Sequence, residues 1–221
     1  MDQLIDQFFN LEIMVAAWPT VRQGLWMTLL ICLAVIPMGL AGGLIAAYAA
    51  VARARALRWG AIAFVDFFRA IPPLVLLIFV YAGLPFAGLQ LSPFMAVVIA
   101  FFLNNSAYYG EIFRAGIQSV GTGQSEAARS TGLSAAQTQA HVVLPQAMRN
   151  VLPDLLSNTI EVIKLTSLAS VVSLGEMLHA ADLARSVTYN ASPIVLAAGI
   201  YLVLLWPLVR IVSRFGRRMD A

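Results

Sequence analysis

The chain has 221 residues and a formal net charge of +3; apolar residues make up 60% of it, charged residues 11%, and it holds a single cysteine. Counting the 15 glycines raises the apolar share to about 67%, against roughly 45–50% in a soluble domain, and charged residues fall to under half of the usual ~25%. So few polar groups cannot cover the accessible surface that a protein of this size keeps in water, and intrinsic disorder is excluded more firmly still.

The chain is therefore expected to be solvated by lipid. Cys32 lies in an apolar run, with no second cysteine for an intrachain disulfide or a cysteine metal cluster. The basic residues are thirteen Arg and one Lys. They gather at the ends of apolar runs, a pattern of membrane topology rather than of nucleic-acid binding. No base precedes Arg22, so a cleaved signal peptide is not expected.

A hydrocarbon core about 30 Å thick needs about 20 residues of helix. Five segments meet this, at approximately 25–51, 59–83, 93–117, 151–172 and 193–212. The second carries Asp66, Arg69 and the pair Pro72-Pro73, and the third ends in a polar half. Loops rich in Arg stay cytoplasmic. Arg53, Arg55 and Arg58, then Arg129 and Arg149, then Arg210, Arg214, Arg217 and Arg218 fall on one side, and only Arg22 and Arg185 on the other. The reading is one all-α integral membrane domain over 1–221, with five transmembrane helices, the N-terminus outside and the C-terminus inside.

Residues 119–150 form the one long cytoplasmic connection. Gly121 and Gly123 interrupt the third span, residues 124–131 favour a helix, and Gly132 is placed to end it in a left-handed cap. Ser134-Ala135-Ala136-Gln137 is a capping-box pattern that opens a second helix. Pro145 predicts that this helix ends near Leu144. A short alanine-faced helix suits another protein's groove, with Glu126 and Arg129 for rim contacts; a solvated connector without a partner is the other reading.

The spacing adds to this. Glu126-Ala127-Ala128, three residues, Gly132, nine residues, then Val142-Val143-Leu144-Pro145 resembles the EAA signature of ABC importer permeases, with Val142 where isoleucine is usual. The run from Asn104-Asn105-Ser106-Ala107-Tyr108-Tyr109-Gly110-Glu111 to Ser119 ahead of it resembles the polar amino-acid branch of that family, the histidine, glutamine, arginine and glutamate uptake systems. So does Lys164-Leu165-Thr166-Ser167-Leu168-Ala169-Ser170 behind it. Phe67 to Leu74 also resembles that branch, which usually has a single proline there and a small or polar residue at the place of Ile71.

The resemblance implies a dimeric permease, of two copies or of two related chains, in a bacterial inner membrane. It implies two ABC ATPase subunits that bind ATP and Mg, an extracytoplasmic solute-binding protein and an amino-acid substrate. It assigns ATPase coupling to Glu126, Ala127, Ala128, Arg129, Gly132, Leu144 and Pro145. No Gly-x-x-x-x-Gly-Lys-Ser/Thr loop is present, so no cofactor is expected on this chain and ATP hydrolysis falls to a partner.

Ionisable residues within spans cost about 2.5–3.5 kcal/mol each, so they tend to face a bundle interior or a watery path. Asn104, Tyr108 and Glu111 share one helical face, as do Asp154, Asn158, Glu161 and Lys164, with Thr166 and Ser167 just beyond; Asp66 and Arg69 are three apart. These offer donors for a carboxylate and acceptors for an ammonium group. Each pair could equally be structural, Glu161 with Lys164 and Glu111 with Arg114 neutralising one another, and Lys164, Thr166 and Ser167 could sit at a dimer interface. His141 and His179 suggest no metal site. An intramembrane enzyme is opposed by the lack of His-Glu-x-x-His and Gly-x-Ser-x-Gly. An ion-gradient-driven transporter is the alternative to an ATP-driven one.

Overall fold

A chain this apolar must satisfy its backbone polar groups internally, and a helix does so within each segment. The computed structural model describes residues 2–219, with side chains for 3–214, and every regular element among them is helical. Arg217 and Arg218 of the basic tail lie outside the described side chains. The helices are α1 (Asp2–Phe9), α2 (Leu11–Ala50), α3 (Arg55–Ala70), α4 (Pro73–Ile78), α5 (Pro93–Ser119), α6 (Thr122–Ser130), α7 (Ala135–Thr138), α8 (Leu144–Leu165), α9 (Met177–Thr188) and α10 (Ser192–Met219).

Among the described residues, three stretches are long and apolar enough to cross a membrane: Gln3–Ala50, Ala135–Val172 and Ser192–Arg214. A fourth joins them if Arg55–Ala70 and Pro73–Ala87 count as one broken span. The third expected span is the continuous 27-residue α5. It has the length, but its second half carries Asn104, Asn105, Ser106, Glu111 and Arg114 and is too polar to join the others on apolarity.

Several boundaries differ from the sequence expectation. α2 starts fourteen residues before position 25, because Asn10 caps it: the Asn10 Oδ1 accepts from the Ile13 N–H at 3.1 Å. The second span is broken at Ile71 and Pro72. Each precedes a proline, and both take extended backbone (ψ 128° and 132°). Pro73 then opens α4 at a position where its missing N–H costs nothing. The helix that opens at Ala135 does not end near Leu144. It passes through a π turn, Gln139–Val143, straight into α8, with the Leu144 N–H reaching the Gln139 carbonyl. The Gln146 Nε2 donates to the Val142 carbonyl at 2.8 Å, a side-chain bond on the same turn as Pro145.

The chain divides into two compact units. One comprises residues up to 36 with 72–101 and 160–211; the other comprises 37–71 and 102–159 with the chain beyond 212. In the first unit Gly24 of α2 lies against α9, where a Cβ would stand 2.7 Å from the Glu176 carbonyl and 2.8 Å from the Met177 Cα. Ala17, Val21, Met177, Ala181 and Ala197 form an apolar core around that crossing. Glu176 is fully buried there. Its carboxylate caps α9 by accepting from Leu178 N–H at 2.9 Å and His179 N–H at 2.7 Å, and the Met177 N–H donates to Thr28 Oγ1. Burial pushes the Glu176 carboxyl from its ordinary 4.5 up to about 7, while the two N–H groups and the adjacent Tyr201 hydroxyl pull it down.

In the second unit α2 and α5 meet backbone to backbone. A Cβ at Gly43 would stand 2.5 Å from the Tyr109 Cβ and 2.8 Å from the Gly110 nitrogen, and Gly39 and Gly42 face Asn105 and Ser106. Small residues at this spacing let two helices approach closely in lipid. Tyr109 is fully buried and its hydroxyl bonds the Thr159 hydroxyl of α8 at 2.8 Å. Gly116 seats Val151 and Ala147 of the same helix.

Two outcomes follow. Gly43→Val forces α2 from α5, with a stability loss of about 1–3 kcal/mol or more, read from chemical unfolding of the purified chain in detergent. For Glu176, the folded chain holds a proton between pH 4.5 and about 7 that the unfolded chain has released. Stability therefore falls as pH rises through that window and levels off above it. Glu176→Gln, which keeps an oxygen for the cap, flattens this slope when thermal midpoints are compared across pH 5–8.

Candidate functional site: a surface hairpin and a charged cleft

The segment between α5 and α8 is a helical hairpin. α6 ends at Thr131, and Gly132 takes φ +90°. The Gly132 N–H donates to the Arg129 carbonyl at 3.1 Å and the Leu133 N–H to the Ala128 carbonyl at 3.3 Å. These two bonds are the Schellman closure, and the positive φ suits glycine. Ser134 and Gln137 then complete a reciprocal capping box. Within the signature, Ala128 is buried against the hairpin, whereas Glu126, Ala127 and Arg129 are exposed. Arg129 turns to the Leu133 carbonyl at 2.9 Å, leaving Glu126 unpaired among the described residues. Leu144 is half-buried and Pro145 exposed in the first turn of α8. Gln124 and Ser119 meet Gln146 and Asn150 of α8, which ties the hairpin down at both ends.

Four of the pathway candidates converge. Asp66 and Arg69 of α3 line one cleft of about 360 Å³ with Glu111 of α5, joined by Arg58, Arg114 and Gln118. Glu111 is held by a two-point fork from Arg114, at 2.9 and 2.5 Å. The Arg69 Nη1 stands 4.0 Å from the Glu111 Oε2, and its guanidinium lies 5.6 Å over the Tyr108 ring. Glu111 thus answers mainly to Arg114, and Arg69 keeps donors for another anion. Arg58 and Asp66 make no ion pair among the described residues. The cleft therefore holds cations beyond those that Glu111 neutralises, and the Asp66 carboxylate, in the field of Arg114 but without a direct ion pair among the described residues.

Asn104 is placed differently. It is buried, and its Nδ2 donates to the Phe68 carbonyl at 3.1 Å, pinning α3 to α5 near the end of α3. Glu161 and Lys164 belong to the other unit. They pair with each other on α8, both about half-exposed or more. Thr166 is fully buried and donates to the Ile163 carbonyl, and Ser167 donates to the Lys164 carbonyl, so both hydroxyls serve their own helix. Lys164 and Ser167 edge an apolar groove with Tyr201, Leu205 and Trp206.

Glu176 is the polar residue that span-by-span reading passed over. Its signal was local, an acid standing one position before a helix, but its burial comes from the contact of α2 with α9.

Residues 39–221 match the model of the family described as binding-protein-dependent transport system inner membrane component. The chain is 38% identical over 178 residues to the probable amino-acid ABC transporter permease protein YckA of Bacillus subtilis (strain 168), covering 80% of this chain and 79% of that one. It is 34% identical over 205 residues to the arginine transport system permease protein ArtQ of the same organism, covering 92% and 94%. A crystal structure of an amino acid ABC transporter with histidines superposes with a TM-score of 0.84 at 36% identity, over 93% of this chain and 96% of that one. A lipid-solvated helical chain with this hairpin, this match and these relatives belongs to the binding-protein-dependent inner membrane components, the permease subunits of ABC importers.

Proposed function

We propose that this permease carries a polar amino acid into the bacterial cytoplasm, driven by two separate ATPase subunits and fed by an extracytoplasmic binding protein. The observation that supports it best is the charged cleft of Arg69, Asp66 and Glu111, because the spare Arg69 donors and an Asp66 carboxylate outside any direct ion pair suit an α-carboxylate and an α-ammonium in one small space. The printed names of the relatives, an arginine permease among them, agree with that chemistry. The chain works as a dimer of two copies or of two related chains. It crosses the inner membrane five times, with the N-terminus outside and the C-terminus inside; α5 then counts as a span whose polar half faces protein or water. In the other unit Glu161 and Lys164, with Ser167 beside them, are a separate polar element offered to the solute, while the buried Thr166 holds its own helix.

In this reading α6 is the coupling helix. Glu126, Ala127 and Arg129 face the ATPase cleft, and Ala128 anchors the helix to its own hairpin. Gly132 holds the turn, and Leu144 and Pro145 carry its movement into α8. ATP and Mg bind to the partner.

Two measurements test this. Purified permease reconstituted with its ATPases into vesicles takes up labelled amino acid only with internal ATP and external binding protein; uptake on an ion gradient alone refutes the ATP-driven reading. Gly132→Val, in a position where a Cβ meets no neighbour and only the positive φ objects, costs about 1–2 kcal/mol locally. It abolishes coupled uptake and weakens ATPase capture in a pull-down, while membrane insertion stays normal. Gly132→Asn, which tolerates the left-handed region, retains part of both.

A further inference from the structure

The second unit carries a groove that neither the charged cleft nor the hairpin uses. It lies between α2, α3 and α5 and measures about 690 Å³, within the roughly 300–1,000 Å³ typical of ligand sites. Gly42, Ile45, Ala46 and Ala49 form one wall and Ala56, Leu57, Gly60, Ala61 and Phe64 the other, over a floor of Phe102, Leu103 and Ser106. Every lining residue except Ser106 is apolar, and the Ser106 Oγ is buried out of reach. Gly60 opens the second wall, since a Cβ there would meet nothing within 4 Å.

Chain position fixes where the groove ends. Ala49 and Ala56 flank the α2–α3 connection, which carries Arg53 and Arg55. Both arginines are exposed and neither pairs with a carboxylate among the described residues. Trp59, 64% exposed one turn further on, is a residue type that settles at the level of lipid headgroups. From Ala56 to Phe64 the wall runs about 12 Å along α3 at 1.5 Å per residue, away from the arginines and toward the apolar interior. A self-complementary contact with a second copy would bring the two basic connections together, which opposes that occupant.

We infer that this groove binds an anionic phospholipid, its acyl chain lying along α2 and α3 and its phosphate held by Arg53 and Arg55. The apolar lining selects a chain, and the unpaired guanidinium groups select a negative headgroup over a zwitterionic one, by roughly fivefold per arginine. This requires only that the chain spans a membrane, and it stands apart from which solute is carried.

The test uses the assembled transporter, permease with its ATPases, stripped of lipid in detergent and offered equimolar phosphatidylglycerol and phosphatidylcholine, with bound lipid counted by native mass spectrometry. The wild type retains phosphatidylglycerol in preference, by tenfold or more. The double variant Arg53→Gln with Arg55→Gln still binds lipid but loses the preference. Gly60→Leu, which fills the groove from an unobstructed position, loses both lipids while the complex stays assembled. Equal retention of the two lipids by the wild type overturns the proposal, as does unchanged retention in the Gly60→Leu complex. A Gly60→Leu complex that dissociates into single permease chains also overturns it, since the groove is then an interface between copies. The double arginine variant changes exposed side chains, so it reads the headgroup effect independently of that outcome.

Discussion

Every peptide group in the lipid-facing part of this chain needs a partner that lipid does not supply. That demand explains why all regular structure among the described residues is helical, and it also explains how the helices are allowed to break. At Ile71 and Pro72 the ladder stops, but proline has no N–H in need of an acceptor and α4 restarts with another proline at its first position. At Gln139–Val143 the ladder widens to a π turn instead of ending, with a glutamine side chain on a carbonyl beside it. At Gly132 the last carbonyls of α6 are taken by the next two N–H groups. Irregular backbone occurs where the chain itself makes good the loss.

The close crossing of α2 and α5 at Gly43 follows the same logic in side-chain terms. Lipid gives no hydrophobic push between helices, so association rests on contact area and close approach. Glycines on α2 let the backbone of α5 come near, and this leaves Tyr109 buried and able to reach Thr159 on α8. That packing sets the face of α5 that presents Tyr108 and Glu111 to α3, where Arg69 and Asp66 stand.

What could be read in advance followed the range of the interaction involved. Gly132, Ser134 and Gln137 act within four residues, so a glycine and a capping pattern were enough to place the hairpin. Asp66, Arg69 and Glu111 were legible as polar intrusions, but their meeting in one cleft depends on how α3 lies against α5, and spacing along the chain does not encode that. Glu161 and Lys164 were legible as a pair because they are three apart on one helix. Glu176 was not legible as a buried acid, since nothing nearby announces that α2 passes over it at Gly24. Pro145 misled for a related reason: its restriction on Leu144 is real, yet Leu144 keeps helical dihedrals (φ −59°, ψ −44°) because the turn before it is loosened by one residue.

The continuity through that loosened turn has a mechanical corollary. From Ala135 to Thr159, within one unit, the chain runs about 37 Å as one helical rod, at 1.5 Å per residue, with no loop inserted. A rod without a slack joint cannot absorb a shove at its foot; it has to tilt or twist along its whole length. It can yield at the wide ring of Gln139–Val143 and at Pro153 inside α8, where the ladder lacks a donor, so the compliance of these two places governs how far the rod moves as one body.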